Sequence, residues 1–459
     1  MSWPDGIQTV LEQARPLTSP RGRRLPLYLW PAMSPGPLSP ERAEDLVREL
    51  DRRGVGLVCP WDPDRREGSL REALTVARAQ GKLGLGIAID ATACLASYFD
   101  GSPATAHVRD SGKLFFDTSF GHPEMGCPFA LDHRRPAIRE RVEWFAGAYA
   151  RERLAPRFVF ADWEIDGPLE WNGAWDASRE CRRCRERVPD LENFLAFQKA
   201  IRDLRADLQR EDYAEPILRR FPRALVGNYA VYPNDGFRYW YDYFEHESPV
   251  LPGIREGYTL HRHWAAEWER SGYTFAMPVV YPWERLFYWT DAEPADFRWF
   301  RNMLFVGSNA CRHTPRGVPI VAFVHFHMIP YFEQTDASPP QMSERAYREL
   351  LWHLLLRGVA TFFLWCTEEE NAVEVRLLHG VWAEAQQWGA FLERGQPITF
   401  DVPEQPVPVV SGLRLGDRVL VRRTDFGDER DDVYVSVRGV TLRVPRLEGE
   451  CAVLRLPRR

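Results

Sequence analysis

The densest chemistry in the chain lies in the run Phe158-Val-Phe-Ala-Asp162-Trp-Glu164-Ile-Asp166. An apolar strand ends here in acids at i, i+2 and i+4. Alternate side chains of a strand share a face, so all three carboxyls point the same way. Two carboxylates held this close repel when both are ionised, which raises the pKa of one of them. A neutral acid beside an ionised partner is what cleavage of a glycosidic bond requires: one group protonates the leaving oxygen while the other orients or stabilises charge. A solvated acidic strand end, or a carboxylate tied to Arg, is the non-catalytic reading of the same residues.

Polar and aromatic residues recur at the ends of other apolar runs. One continues as Gly227-Asn228-Tyr229, Tyr232 and Asp235, and another ends Tyr281-Pro282-Trp283-Glu284. Further runs end in His325-Phe326-His327 and in Leu364-Trp365 followed by Glu368; Trp30 and Trp61 close the first two. Such a set suits a pocket that holds a sugar ring by hydroxyl hydrogen bonds and stacking, with Trp365 as its floor. Trp30, Trp61, Asp166, Trp171, Asp235, Trp283, Glu284, His325, His327, Trp365 and Glu368 are therefore the substrate-binding candidates. Any single one of them is equally at home in a core.

The elements that must position these residues alternate short apolar runs with longer amphipathic segments, the pattern of parallel strands joined by helices. Strands are expected at 25–30, 55–61, 83–90, 157–166, 224–232, 274–283, 318–327 and 359–366. Helices are expected at 39–53, 70–80, 136–151, 193–210, 295–310, 343–357 and from 371 to about 394. Ser39-Pro40-Glu41 offers an N-cap, Pro at the first helical position and an early acid; Ser343-Glu344 and Asp296 offer similar start signals. Eight strand–helix units predict a (β/α)8 TIM barrel over residues 1–395. An open doubly wound sheet usually carries a Gly-rich phosphate turn after its first strand, and none is visible. From 396 to 459 short alternating runs broken by Gly, Pro and Asp predict a small, sandwich-like all-β domain. Within it, Gly427-Asp428-Glu429 reads as a hairpin turn between Val419–Arg423 and Val433–Val437. Two long insertions, 91–135 and 167–192, follow the third and fourth strands on the face where barrel enzymes build their sites. They carry Tyr98, Phe115, Phe116, His122, Trp171 and Trp175.

Composition bounds the reading. The 459 residues are 45% hydrophobic and 27% charged, the mix of a folded globular chain. A net charge of −6 with no separate basic run argues against a nucleic-acid partner. No stretch is long and apolar enough for a membrane span. The N-terminus lacks a basic region followed by an apolar core, so a cytoplasmic protein is expected, or a secreted or periplasmic one if a leader is removed. Nearly all the positive charge is Arg, consistent with GC-rich, bacterial coding. No cofactor and no metal is expected. Of the eight cysteines only Cys181-Arg-Arg-Cys184 has ligand-like or redox-like spacing, and the second pair of a zinc site is missing from the sequence pattern. A His-x-His pair on a strand also raises a metal reading, but metal-dependent amidohydrolase barrels carry that pair on their first strand, which here offers only Tyr28 and Trp30. The sequence leaves oligomeric state open.

With these residues in place the chain resembles the hyaluronidase family of glycoside hydrolases. Asp162-Trp163-Glu164, Pro168-Leu169-Glu170-Trp171 and Trp175, Gly227-Asn228-Tyr229 with Pro233 and Asp235, Tyr281-Pro282 and Leu364-Trp365 carry the resemblance, in that order, across most of residues 20–390. It implies a retaining mechanism in which the substrate's own 2-acetamido oxygen attacks the anomeric carbon. In that scheme Glu164 is the general acid and then base, and Asp162 orients and stabilises the acetamido group. Tyr229 and Tyr281 hydrogen-bond around that group, and Trp365 stacks beneath it. The family's disulfide pattern and cysteine-rich tail are not evident here, so the implied substrate is an internal β-linked N-acetylhexosaminide rather than a particular polymer. Two alternatives stand beside it: a two-carboxylate glycosidase using Glu164 with Glu284 or Glu368, and a non-catalytic carbohydrate-binding barrel.

Overall fold

A computed structural model describes residues 3–95, 99–118, 125–164, 169, 174–238, 262–264, 266–330, 338–427 and 431–456. Eight parallel strands carry the larger part of the chain: β1 (Leu27–Met33), β2 (Val55–Pro60), β3 (Ile87–Asp90), β4 (Pro156–Ala161), β5 (Leu225–Asn228), β6 (Val279–Val280), β7 (Val321–Val324) and β8 (Thr361–Leu364). They form one sheet in the order β6-β7-β8-β1-β2-β3-β4-β5: β8 lies beside β1, the other paired strands are neighbours in sequence, and β5 and β6 stand at the two ends of the order. That is the strand order of a (β/α)8 barrel, as the alternation of apolar runs predicts. Antiparallel sheets follow at the C-terminal end.

The observed strands are shorter than the apolar runs. The sixth is the extreme case, expected over 274–283 and reduced to Val279–Val280. Pro278 and Pro282 flank it, and proline has no N–H to give a ladder. The helices meet their start signals. Helix α2 (Pro40–Arg52), the second after a short N-terminal α1 (Asp5–Gln13), is capped by Ser39, whose hydroxyl accepts from the Arg42 amide. Helices α3 (Arg66–Lys82), α4 (Arg135–Arg151), α5 (Phe194–Leu208), α6 (Ala295–His313), α7 (Glu344–Leu356) and α8 (Asn371–Ala385) supply the main crossovers. Asp296 caps differently from expectation. It sits in the first turn of α6 and accepts from the Ser343 amide at 2.8 Å, holding the residue that caps α7.

By packing, the chain falls into two units, Cys59–Phe275 and Met1–Val58 with Ala276–Arg459. In the first, a π-helical turn at Gln209–Ala214 extends α5. Its Tyr213 hydroxyl donates to the carbonyls of Val159 on β4 and Gly227 on β5, at 3.1 and 3.2 Å. Buried Asp212 takes Arg135 and Arg139 of α4 at 3.1 and 2.9 Å, which locks α4 to the same turn. On β5, Gly227 faces Phe275 so closely that a Cβ would lie 2.7 Å from the ring.

In the second unit, β9 (Gln396–Pro397), β10 (Val409–Leu415), β11 (Arg418–Thr424) and β14 (Cys451–Arg455) form a four-stranded antiparallel sheet, and β12 (Asp432–Val437) pairs with β13 (Val440–Pro445). Val410, Val419 and Val421 of the sheet pack on Val437, Leu442 and Val444 of the ribbon. The expected hairpin is therefore not formed: Val419–Arg423 pairs with β10 and β14, while Val433–Val437 pairs with β13. Both runs alternate correctly, but alternation fixes a face and not a partner. The sheet is fastened to α7 by buried polar contacts. Glu349 takes Arg422 through both oxygens at 2.8 and 2.6 Å, and His353 bridges Ser411 and Thr424 at 2.7 and 3.0 Å.

Gly227→Ala is expected to cost about 1–3 kcal/mol of stability by overpacking against Phe275. Phe275→Leu in the same chain should recover part of that loss, so the pair should be non-additive in urea denaturation. Simple additivity would mean that the close approach does not constrain β5.

Candidate active site

Two groups of polar strand-end residues emerge, one in each unit. In the unit Cys59–Phe275 the site is built where β3, β4 and β5 stop. Register places Asp90 opposite Phe160 and Asn228 opposite Ala161, so Asp162 follows directly beyond the last paired residue of β4. Side chains then take over from the ladder. The Asp162 amide donates to the Thr92 hydroxyl at 2.8 Å. Asn228, fully buried, clamps Trp163 from both sides: its Oδ1 accepts from the Trp163 amide at 2.9 Å, and its Nδ2 donates to the Trp163 carbonyl at 3.0 Å. Behind Asn228, Gln209 of the π turn accepts at 3.3 Å and donates to Glu267 at 3.2 Å. Glu267 pairs with buried Arg205 at 2.7 Å. Trp163 is buried, whereas Asp162 is half-buried and Glu164 exposed.

This alters the expected carboxyl pairing. Asp162 is pushed up to about 7, first by burial and then by the charge of Asp90; the pairing with Glu164 drawn from sequence is not its cause. Asp90 is itself raised by burial, against the opposing effect of the Thr92 amide and hydroxyl that bond to it. Asp90 and Thr92 have no part in the sequence reading, and Asn228 enters it only within the run Gly227-Asn228-Tyr229, with no role of its own. Asp90 was legible as an acid ending an apolar run, the same signal that marks Asp162. Tyr229 is buried, with its amide bonded to the Ala161 carbonyl at 2.9 Å, and Asp235 is exposed. Trp61 goes elsewhere. Its amide is held by the Asp90 carbonyl, and its fully buried ring stacks on Phe145 of α4 at 5.5 Å and leans on Tyr149 at 5.6 Å. It is a core residue, filling the space between strand and helix. Asp166 and Trp171 lie outside the described residues, as do Tyr98, His122, Pro168 and Glu170.

In the other unit, the ends of β6, β7 and β8 bring Tyr281, Trp283, His325 and Trp365 together. Tyr281 stacks on Trp365 at 5.9 Å and on Trp283 at 6.2 Å, and His325 packs on Trp365 at 4.9 Å. Trp365, Trp283 and Trp30 are partly exposed, with Trp30 edge-on to Phe363. Glu374 of α8, fully buried, holds the His-x-His segment. It accepts from the Phe326 and His327 amides at 2.8 and 3.1 Å and from His327 Nδ1 at 2.9 Å, and it lies 3.0 Å from His325 Nδ1. His325 Nδ1 also faces the Trp365 carbonyl at 2.9 Å. Burial holds His325 below its ordinary range, whereas the hydrogen bond to Glu374 raises His327. His325, His327, Glu370 and Glu374 have ligand atoms close enough together to consider a metal. Glu374, however, already accepts from two amides and an imidazole, so its arrangement is that of a carboxylate positioning two histidines. Glu284 opens a short helix, Glu284–Phe287, and Glu368 stands exposed in the turn before α8.

The chain matches no protein-family model, and no curated protein matches it in sequence. Solved structures to which the chain is similar at low identity include several glycoside hydrolases. Alpha-L-fucosidase isoenzyme 2 from Paenibacillus thiaminolyticus is 12% identical over 79% of this chain and 48% of that one, with a TM-score of 0.43. A beta-galactosidase from the Antarctic haloarchaeon Halorubrum lacusprofundi is 13% identical over 81% and 59%, with a TM-score of 0.48. Bee venom hyaluronidase is 15% identical over 59% and 81%, with a TM-score of 0.31. This chain thus spans about half the length of the first and under two thirds of the second. At these scores the fold class rests on the strand pairing itself, and the chemistry rests on the residues. No helix among the described residues is long and apolar enough to cross a membrane.

The Asp162 carboxyl keeps its proton up to about pH 7 in the folded chain, whereas an unfolded chain releases it near pH 4. Between those values the folded state holds more protons, so stability falls as pH rises, by up to about 1.4 kcal/mol per pH unit from this group. Asp162→Asn is expected to flatten that slope between pH 5 and 7 in denaturant titrations. An unchanged slope would place the titration on another group.

Proposed function

We propose that this chain is a glycoside hydrolase acting on a β-linked glycan at an N-acetylhexosaminide, by a retaining mechanism in which the substrate supplies the nucleophile. The observation that carries the reading is the end of β4. There a half-buried carboxyl poised near neutrality, Asp162, stands two residues from an exposed acid, Glu164, with Trp163 clamped between them.

In this reading Glu164 gives its proton to the glycosidic oxygen as the bond from that oxygen to C1 breaks. The 2-acetamido carbonyl oxygen bonds to C1, forming an oxazolinium-type intermediate. Water then attacks C1 as the bond from C1 to the acetamido oxygen breaks and the acetamide is restored, while Glu164 takes a proton from the attacking water. Asp162 faces the acetamido N–H. A carboxyl with its pKa near 7 gains ionic character as positive charge grows beside it, so its contribution is largest in the transition state. Tyr229 and Tyr281 are assigned to hydrogen bonds around the acetamido group and Trp365 to stacking. Trp30, Trp283, His325 and His327 are assigned to contacts with the sugar.

Turnover of wild type and Glu164→Gln on β-linked glycans, half of them carrying 2-acetamido groups, tests this. Activity confined to the acetamido half and lowered about 10²–10⁴-fold by the substitution is the expected result. Turnover of sugars lacking the group would move the assignment to two enzymic carboxylates. No turnover, with ligand affinity unchanged in Glu164→Gln, would make the barrel a binding protein.

A further inference from the structure

We propose that His107, Cys127, Cys181 and Cys184 form a structural zinc site in the insertions that follow β3 and β4. Sequence spacing gives only the Cys181-x-x-Cys184 half of such a site. The fold brings in Cys127, 54 residues before Cys181, and His107 from a two-stranded ribbon (His107–Val108 with Leu114–Phe115). The candidate ligand atoms of all four lie within 4.8 Å of one another, and all four residues are fully buried.

The sulfur geometry separates a metal from its rivals. Cys127 Sγ lies 3.5 Å from Cys184 Sγ and 3.8 Å from Cys181 Sγ. A disulfide needs about 2.05 Å, and three thiols leave one over in any pairing. Thiolates at about 2.3 Å around a tetrahedral zinc sit roughly 3.8 Å apart, which matches these edges. The second observation is the imidazole. Both ring nitrogens of His107, in a residue with no exposure at all, lack a hydrogen-bond partner other than the Cys181 thiol beside the ring. Burying an imidazole that way is costly unless something takes a nitrogen lone pair. Phe115, stacked on the ring at 4.9 Å, fixes its plane.

The backbone is shaped to bring the pieces together. The Cys127 amide bonds the Thr105 carbonyl at 2.7 Å, and the approach is so close that a Cβ on Gly126 would sit 2.0 Å from that oxygen. Arg183, between the paired cysteines, donates to the Ala104 and Ala106 carbonyls at 3.1 and 2.8 Å. Three thiolates and a neutral imidazole around a divalent ion leave one net negative charge. Arg182, Arg183, Arg185 and Arg187 stand next to or between the paired cysteines in sequence, although Arg182 and Arg185 also pair with Glu186 and Asp110. Three sulfurs and one nitrogen select zinc over hard cations, and four protein ligands close the site to substrate, so its role is to hold structure. It ties both insertions to a small apolar cluster around Val188, Phe194 and Phe197.

The test is metal analysis of the full-length protein purified without chelator. One zinc per chain is expected, with Co(II) substitution giving the intense visible bands of a tetrahedral thiolate site. Cys127→Ser and His107→Ala should each lose metal, whereas Cys311→Ser, in helix α6, should keep it. If the ligand variants fail to fold, the wild type still decides. Chelator should then release zinc, expose three more thiols to titration and lower the melting temperature. A wild-type chain that is metal-free, takes up no Co(II), and shows freely titrating thiols or a disulfide by mass spectrometry would overturn the proposal.

Discussion

A parallel strand that stops leaves amides and carbonyls that its neighbours no longer pair, and burying them unpaired is costly. The structure answers this the same way wherever its candidate residues gather. Thr92 takes the Asp162 amide, Asn228 takes both sides of Trp163, and Glu374 takes the amides of Phe326 and His327. Each side chain is fixed by the backbone it satisfies, and so fixes the functional residue that backbone carries. Between Asp162, half-buried, and Glu164, exposed, Trp163 is buried and its backbone clamped.

The same economy of burial sets the electrostatics. Asp162 is raised because solvent is scarce around it and Asp90 is near, while Thr92 supplies hydrogen bonds that partly relieve Asp90. His325 and His327 share Glu374 yet shift in opposite directions. Burial dominates for one and a hydrogen bond for the other. The two neighbouring histidines are thus moved apart in proton affinity, the condition under which a site can hold an acid and a base together.

Much of the fold was legible because its signals are local. Apolar runs separated by amphipathic segments gave the strand order, and Ser39 and Ser343 cap the helices they precede. Partners in space were not legible. The C-terminal runs alternate as strands should, yet they pair with other strands than the turn between them implied. Trp61 ends a strand like Trp365 does, but only packing reveals that it meets Phe145. Asp90 and Asp162 are 72 residues apart in sequence, and β-ladder register, which no motif records, makes them neighbours.

The π turn at Gln209–Ala214 has a consequence for how this chain must be compared with any other. It winds more residues into a turn than the α-helix before it, and both Gln209 and Tyr213 reach the strand ends from it. A helix of ordinary pitch in its place would carry one residue fewer. Matching two such chains by helical periodicity alone would therefore slip every residue from there to β5 by one position. Asn228, whose identity matters most to the geometry of β4, would then be set against the wrong neighbour, and the kinship of two barrels sharing this clamp would be hidden by a single gap.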